Sequence, residues 1–206
     1  MNLFFASSNN HKVKEIEAIL VQFQNLRLGP LNILQLPENI DILETGVSFT
    51  ENANIKASTI AKLMHEYALA DDSGLEVKVL DNRPGIYSNR YVRGSDQDRC
   101  AKLLSELVQI PKSMRQARYV CAMSLADPSG EIIFTTQAYL NGWIGFNNAG
   151  HNGFGYDPIF CLNNDEKSIA ELSDSAKNLI SHRANALKEV ILFLNGYSEV
   201  NKSYNE

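Results

Sequence analysis

Residues 3–23 read Leu3-Phe4-Phe5-Ala6-Ser7-Ser8-Asn9-Asn10-His11-Lys12-Val13-Lys14-Glu15-Ile16-Glu17-Ala18-Ile19-Leu20-Val21-Gln22-Phe23, and the hydrophobic period changes once along them. Leu3–Ala6 is an unbroken apolar run of strand length. Ser7–His11 is a polar turn. Val13, Ile16, Ile19, Leu20 and Phe23 then recur at helical spacing, so a helix is predicted from near Lys12. A strand that turns directly into a helix opens an α/β fold. Further along, Leu31–Leu36 reads as a second strand ahead of Pro37. Phe49–Tyr67 reads as a long helix with Ala53, Ile55, Ala57, Ile60, Ala61 and Met64 on its apolar face and Thr50 as its cap. Tyr67–Ala70 reads as a strand that ends in Asp71-Asp72-Ser73-Gly74, Leu75–Leu80 as a separate extended piece, and Pro84-Gly85 as a turn. Gln97–Leu107 is predicted helical. Arg118–Ala126, Glu131–Leu140 and Gly142–Phe146 are predicted strands, with Asp127-Pro128-Ser129-Gly130 as a hairpin turn. A Gly-rich loop covers Gly150–Pro158, a last helix Ser181–Leu194, and Asn201–Glu206 is a polar tail expected to fray. Hairpins in the second half make this α/β with a mixed β-sheet flanked by helices, not a purely parallel one.

The 206 residues suit one large domain or two small lobes. A net charge of −5 argues against a duplex nucleic acid or an anionic membrane as partner, since either selects for a basic surface. A phosphate ligand would need positive charge gathered locally or borrowed from a metal ion. The three cysteines, Cys100, Cys121 and Cys161, form no CxxC, which fits idle thiols in a reducing cytoplasm. No apolar run approaches the ~18 residues needed to span a bilayer.

Four clusters could carry chemistry, and each has a bland alternative. Ser7, Ser8, Asn9, Asn10, His11 and Lys12 sit at a strand-to-helix turn, where backbone N–H groups and one lysine can bind an anion; polar turns of this kind are also common without function. Asp71 and Asp72 are adjacent carboxylates able to ligate Mg²⁺ or accept a proton from water, or else a simple acidic turn. Strand geometry points them to opposite faces. Gly153-Phe154-Gly155-Tyr156-Asp157-Pro158 offers close backbone approach, two aromatics that can stack on a base and one acceptor, or a Gly/Pro turn plugging the core. Lys177, His182 and Arg183 lie within seven residues, with Ser181 placed to cap the last helix, or they are solvated surface.

Taken in order, these clusters resemble the inosine triphosphate pyrophosphatase (Ham1-like) family. Ala6–Lys12 is similar to its [ST]GNxxK opening. Glu44-Thr45-Gly46, Phe49, Glu51-Asn52-Ala53 and Lys56-Ala57 look like its second block, and Ala70–Val77 with Pro84–Ser88 and Arg90-Tyr91 its central signature. Gly153–Phe160 resembles its GGFGYDPIF block, and Ala170–Leu172, Lys177 and Ile180–Arg183 its last, so the likeness runs from about residue 3 to residue 194. The resemblance implies hydrolysis of non-standard purine nucleoside triphosphates such as ITP, dITP and XTP to the monophosphate and pyrophosphate. It implies Asp72 as catalytic acid/base and metal ligand, with Glu44 and Asp71 as further ligands of Mg²⁺. Ser7–Lys12 would hold the triphosphate, and Ser73 would touch substrate. Phe154, Gly155, Tyr156, Asp157, Lys177, His182 and Arg183 would bind the nucleotide. It further implies a cytoplasmic homodimer whose single domain has two lobes around a cleft. Three positions depart from the pattern: Ser8 stands for the usual turn glycine, Leu43 for a glutamate, and Asn147–Asn152 for a Pro-Arg-Gly stretch.

In chemical terms, Asp72 would orient or deprotonate water, while Lys12, Lys177 and Mg²⁺ would neutralise charge. Arg183 or His182 would donate to a 6-keto oxygen and Asp157 accept from N1–H, a pair that adenine leaves unmet. A pyrophosphatase of broader specificity, acting for example on modified pyrimidine triphosphates, is one rival reading; a nucleotide-binding regulator without turnover is another, and retention of Lys12, Asp71 and Asp72 argues against the latter.

Overall fold

The computed structural model describes residues 2–7, 9–21, 32–34, 40, 42–163 and 165–203. Its strands are β1 (Asn2–Phe5), β2 (Asn32–Leu34), β3 (Tyr67–Val77), β4 (Arg83–Pro84), β5 (Gln116–Ala126), β6 (Ile132–Ile144) and β7 (Phe160–Leu162). Its α-helices are α1 (Asn10–Val21), α2 (Phe49–Met64), α3 (Asp96–Glu106), α4 (Asp174–Ile180) and α5 (His182–Ser203), with short 3-10 turns between. The sheet order is β2-β1-β3-β5-β6-β7, and β4 pairs with β3. β1 is parallel to β2 and β3, whereas β4 on β3 and β7 on β6 are antiparallel, so the sheet is mixed. Among the described residues no helix is long and apolar enough to cross a membrane.

The chain forms two compact units. One comprises residues 1–72, 121–138 and 183–206, the other residues 73–120 and 139–182. In the first, strand alternation divides the core. Leu3 and Phe5 of β1, with Leu69 of β3, pack on Val13, Ile16 and Ile19 of α1 and Leu187, Val190 and Ile191 of α5. Phe4, Ala6, Ala68 and Ala70 face the other way, onto Ala57, Ile60 and Ala61 of α2. Both faces are covered, so these strands read as continuous apolar runs. The small residues on the second face let α2 come close. In the second unit, Leu75 and Val77 pack with Leu103 and Leu107 of α3, Tyr119, Ile144, Tyr156 and Phe160. Each large side chain so buried contributes about 1.5–3 kcal/mol.

Several boundaries differ from expectation. β3 runs unbroken through Asp71–Gly74, so the acidic pair lies inside a strand and not at its end. Ladder pairing and burial on both faces carry the strand through residues that look like a turn in isolation. Likewise β6 absorbs Gly142, and the two expected strands are one. Thr50 does not cap α2: Ser48 does, its side chain accepting from the Glu51 N–H. The last helix continues to Ser203, past the expected fraying point, and residues 204–206 lie outside the described residues. All three cysteines are buried free thiols.

Candidate active site

Asp71 and Asp72 are neighbours on β3, so they inherit opposite faces. Asp71 continues the row of Leu69 and meets α1 and α5. Lys12 Nζ lies 2.9 Å from Asp71 Oδ2. Arg183 Nε and Nη2 each donate to the same oxygen at 3.3 Å, and Arg183 Nη1 donates to Glu15 Oε2 at 2.5 Å. Burial alone would raise the Asp71 pKa; Lys12 and Arg183 outweigh it and hold the carboxyl far below the ordinary range. Arg183 is only 1% exposed. Its planar fork engages two carboxylates inside the unit. Asp71 meets Lys12 and Arg183 through one oxygen, Oδ2.

Asp72 continues the row of Ala68 and Ala70 and meets α2. Asn52 Nδ2 donates to Asp72 Oδ2 at 3.1 Å. Lys56, four residues on and on the same helix face, donates to Asp72 Oδ1 at 3.3 Å and to Glu44 Oε1 at 2.7 Å. Asn52 Oδ1 also accepts from the Gly46 N–H at 2.8 Å, and Glu51 Oε2 accepts from the Val47 N–H at 2.8 Å. The block from Glu44 to Lys56 is thus one device: the helix start ties down the loop that delivers Glu44. Burial raises the Asp72 pKa and Glu44 adds to the rise, against the pull of Lys56, Lys12 and Asn52. Burial would depress the Lys56 ammonium, but Asp72, Asp71 and Glu44 more than compensate and its pKa is raised. Leu43 is 77% exposed, so the departure there leaves the cluster untouched and Glu44 supplies the second carboxylate. Ser73, next on β3, is half-buried and belongs to the other unit.

The opening turn differs from a bare anion cradle. Asn9 Oδ1 accepts from the His11 N–H at 3.0 Å and the Lys12 N–H at 3.4 Å, and Ser7 Oγ accepts from the Asn9 N–H at 3.3 Å. The Asn9, His11 and Lys12 N–H groups thus already have side-chain acceptors. Asn10 and His11 are exposed. Ser8 lies outside the described residues.

The second unit holds a separate network. Asp157 Oδ1 accepts from Tyr119 Oη at 3.0 Å; its Oδ2 accepts from Lys177 Nζ at 2.7 Å and from the Phe154 N–H at 2.9 Å. The Lys177 ammonium lies 4.4 Å from the centroid of the Phe154 ring, a cation–π distance. Tyr119 stacks on His182, with ring centroids 4.8 Å apart and planes 8° from parallel. The carboxylate packs so tightly over Gly153 (φ +76) that a Cβ there would fall 2.1 Å from Oδ2. Tyr156 is buried in the core and its hydroxyl donates to the Ser88 carbonyl at 2.9 Å. Asp157 is buried and carries three donors on roughly four acceptor positions, one of them the Lys177 ammonium. Phe154 remains half-buried, and His182 is buried. In the Asn147–Asn152 segment, the His151 and Asn152 N–H groups both donate to the Ala170 carbonyl, and the His151 side chain is exposed.

Asn52, Lys56, Tyr119 and Glu15 are the residues sequence reasoning missed as parts of these networks. The i, i+4 spacing of Asn52 and Lys56 beside an acidic pair was a usable signal; Tyr119 in an apolar strand gave none.

Residues 3–193 match the model of the Ham1 family. The chain is 40% identical over 191 residues to the dITP/XTP pyrophosphatase of Oceanobacillus iheyensis, covering 91% of this chain and 95% of the relative. It is 42% identical over 187 residues to the dITP/XTP pyrophosphatase of Bacillus subtilis, covering 90% and 92%. The solved structure of the Staphylococcus aureus Ham1 protein matches with a TM-score of 0.81 at 36% identity, over 96% of this chain and 100% of that one.

Proposed function

The chain belongs to the Ham1 family, and we propose that it clears dITP, ITP and XTP from the nucleotide pool by cleaving them to the monophosphate and pyrophosphate, with Asp72 as the base. The observation that carries this reading is the buried Asn52–Asp72–Lys56–Glu44 network. It holds one carboxylate in a fixed orientation with its pKa raised, the direction that makes an aspartate a better base at neutral pH. Asp72 takes a proton from water as the water oxygen attacks the α-phosphorus. The bond from that phosphorus to the bridging oxygen breaks, and pyrophosphate leaves with the bonding pair. Lys12 and Lys56 offset the charge that develops. Asp71 takes no proton; it holds Lys12 in place.

Mg²⁺ suits the donors present. Glu44 and Asp72 are hard oxygen ligands converging on one cation, and Mg²⁺ commonly uses one or two carboxylates together with substrate phosphates. Glu44 and Asp72, joined through Lys56, would hold it. When bound, the ion supplies charge neutralisation and a more acidic water.

Base selection falls to Lys177 and Phe154. An ammonium oriented by Asp157 donates to a 6-keto oxygen, and the ring stacks on the purine. Adenine presents a 6-amino donor to that ammonium, and a site of this kind can reject it by ~10⁴-fold. The homodimer and the cytoplasmic setting follow from the family resemblance, and the buried free thiols suit a reducing compartment.

A steady-state assay of pyrophosphate release from dITP, ITP, XTP, dGTP and dATP, with and without Mg²⁺, tests the whole reading. Release from the first three, dependent on Mg²⁺ and far slower from dATP, is the expected result. Equal rates for all five defeat the selectivity, and no release from any defeats the activity.

A further inference from the structure

The loop carrying Phe154 and Asp157 is gripped by α3, through contacts that play no part in the chemistry above. Gly155 has φ +65, and nothing lies within 4 Å of the position its Cβ would occupy. Glycine is needed there for backbone conformation, not for space, and two glycines flanking Phe154 leave the loop with entropy to lose. That freedom is removed from one side. The Gly155 N–H donates to Asp96 Oδ2 at 2.7 Å, and the Gly155 carbonyl accepts from the Cys100 thiol at 3.4 Å. Asp96 and Cys100 are four residues apart on α3, hence on one face. Arg99 donates to the other oxygen of Asp96 and fixes its orientation. Burial pushes the Cys100 thiol up to about 12, so it stays a protonated donor.

We propose that Asp96 and Cys100 are positioning residues for nucleotide recognition: by pinning both polar atoms of Gly155 they present Phe154 and Lys177 as a preformed base-reading pair. The inference rests on the assignment of that pair to the base. Pre-ordering a loop lowers the cost of binding and leaves the phosphoryl step alone. The effect therefore belongs in KM and not in kcat.

The test measures kcat and KM for dITP with Mg²⁺ in Asp96→Ala, Asp96→Asn and Cys100→Val, alongside thermal melts and amide hydrogen exchange at Gly155 in the unliganded proteins. Asp96→Ala should raise KM about tenfold with kcat within about twofold, the scale of one hydrogen bond to a charged acceptor. Asp96→Asn keeps an oxygen acceptor and should return KM to within about twofold of the parent. Cys100→Val should raise KM about threefold, as suits a weak thiol donor. Unchanged KM in Asp96→Ala, a loss confined to kcat, or Asp96→Asn as impaired as Asp96→Ala overturns the proposal. Should Asp96→Ala not fold, unchanged KM in Cys100→Val overturns it. If the parent protein releases no pyrophosphate at all, the functional assignment fails separately. The clamp is then judged on exchange at Gly155, which must quicken in Asp96→Ala and not in Asp96→Asn.

Discussion

The two buried carboxylate networks differ in their charge balance. In the first unit Glu15, Glu44, Asp71 and Asp72 face Lys12, Lys56 and Arg183: four carboxylates against three cations, a balance of −1 when all are ionised. In the second, Asp157 faces Lys177 alone, a balance of zero, between the rings of Tyr119 and Phe154. A surplus of negative charge repels a bare triphosphate and attracts a divalent cation. A neutral pair among aromatics suits an uncharged base, read by hydrogen bonding and stacking. On the proposed reading the first set would handle phosphate, where charge must be managed, and the second would read the ring, where it must not.

The largest expected effect breaks the first balance from its buried side. Arg183→Ala leaves Asp71 and Glu15 without the guanidinium that bridges them, at a cost of about 3–5 kcal/mol. A thermal melt should fall by roughly 10 °C at this chain length. The pH dependence has a definite sign. Asp71 is depressed in the folded state, so its contribution to stability is present above its unfolded pKa of ~3.9 and is lost as pH falls through the lower folded value. A variant melting within about 2 °C of the parent would show that Arg183 is not the brace its contacts describe.

Next comes the other face of the same strand, which carries the proposed base. Asp72→Asn should lower kcat by at least ~100-fold, the low end for a general base, with the melt retained. Asp72 must be ionised to accept the proton, so kcat/KM should have an acid limb, activity falling as pH drops through the Asp72 pKa, which burial raises in the metal-free protein. The limb should vanish in the variant. An active Asp72→Asn enzyme with the parent's limb would remove Asp72 from the chemistry and leave the first network purely structural.

How much of this was legible in the sequence depends on whether a local pattern or a distant partner decides. The strand–turn–helix opening and the helix of residues 49–64 followed from periodicity, and the hairpin at Asp127–Gly130 from turn chemistry. The mixed sheet followed from their order. The unbroken course of β3 did not, because Asp71-Asp72-Ser73-Gly74 carries strong turn propensity and only ladder pairing and burial override it. Among site residues, opposite faces for Asp71 and Asp72 followed from strand period. That Asp71 would be spent on Lys12 and Arg183, and Asp72 oriented by Asn52 and Lys56, depends on which helices cover each face. The ion pairs of Arg183 were illegible for the same reason: its acidic partners lie 112 and 168 residues earlier in the chain.

The smallest effect sharpens the comparison from the second unit. Tyr119 is buried; burial first, and then Asp157, raise its pKa well above the usual value, so its hydroxyl stays protonated and donates. Tyr119→Phe deletes that donor and keeps the ring, including its stack on His182. Asp157 retains Lys177 and the Phe154 N–H, so the pair survives with one constraint fewer. Losing one neutral donor to a carboxylate costs about 1–2 kcal/mol locally. Only the part felt by the base appears in binding, so KM for dITP should rise about threefold. The preference for dITP over dATP should narrow by a similar factor. The acid limb and kcat, which the proposed mechanism assigns to Asp72 in the other network, should not move. Steady-state kinetics across pH on this variant separate the two networks: a shifted acid limb would mean that the Asp157 network also governs the proton transfer, and the division between them would fail.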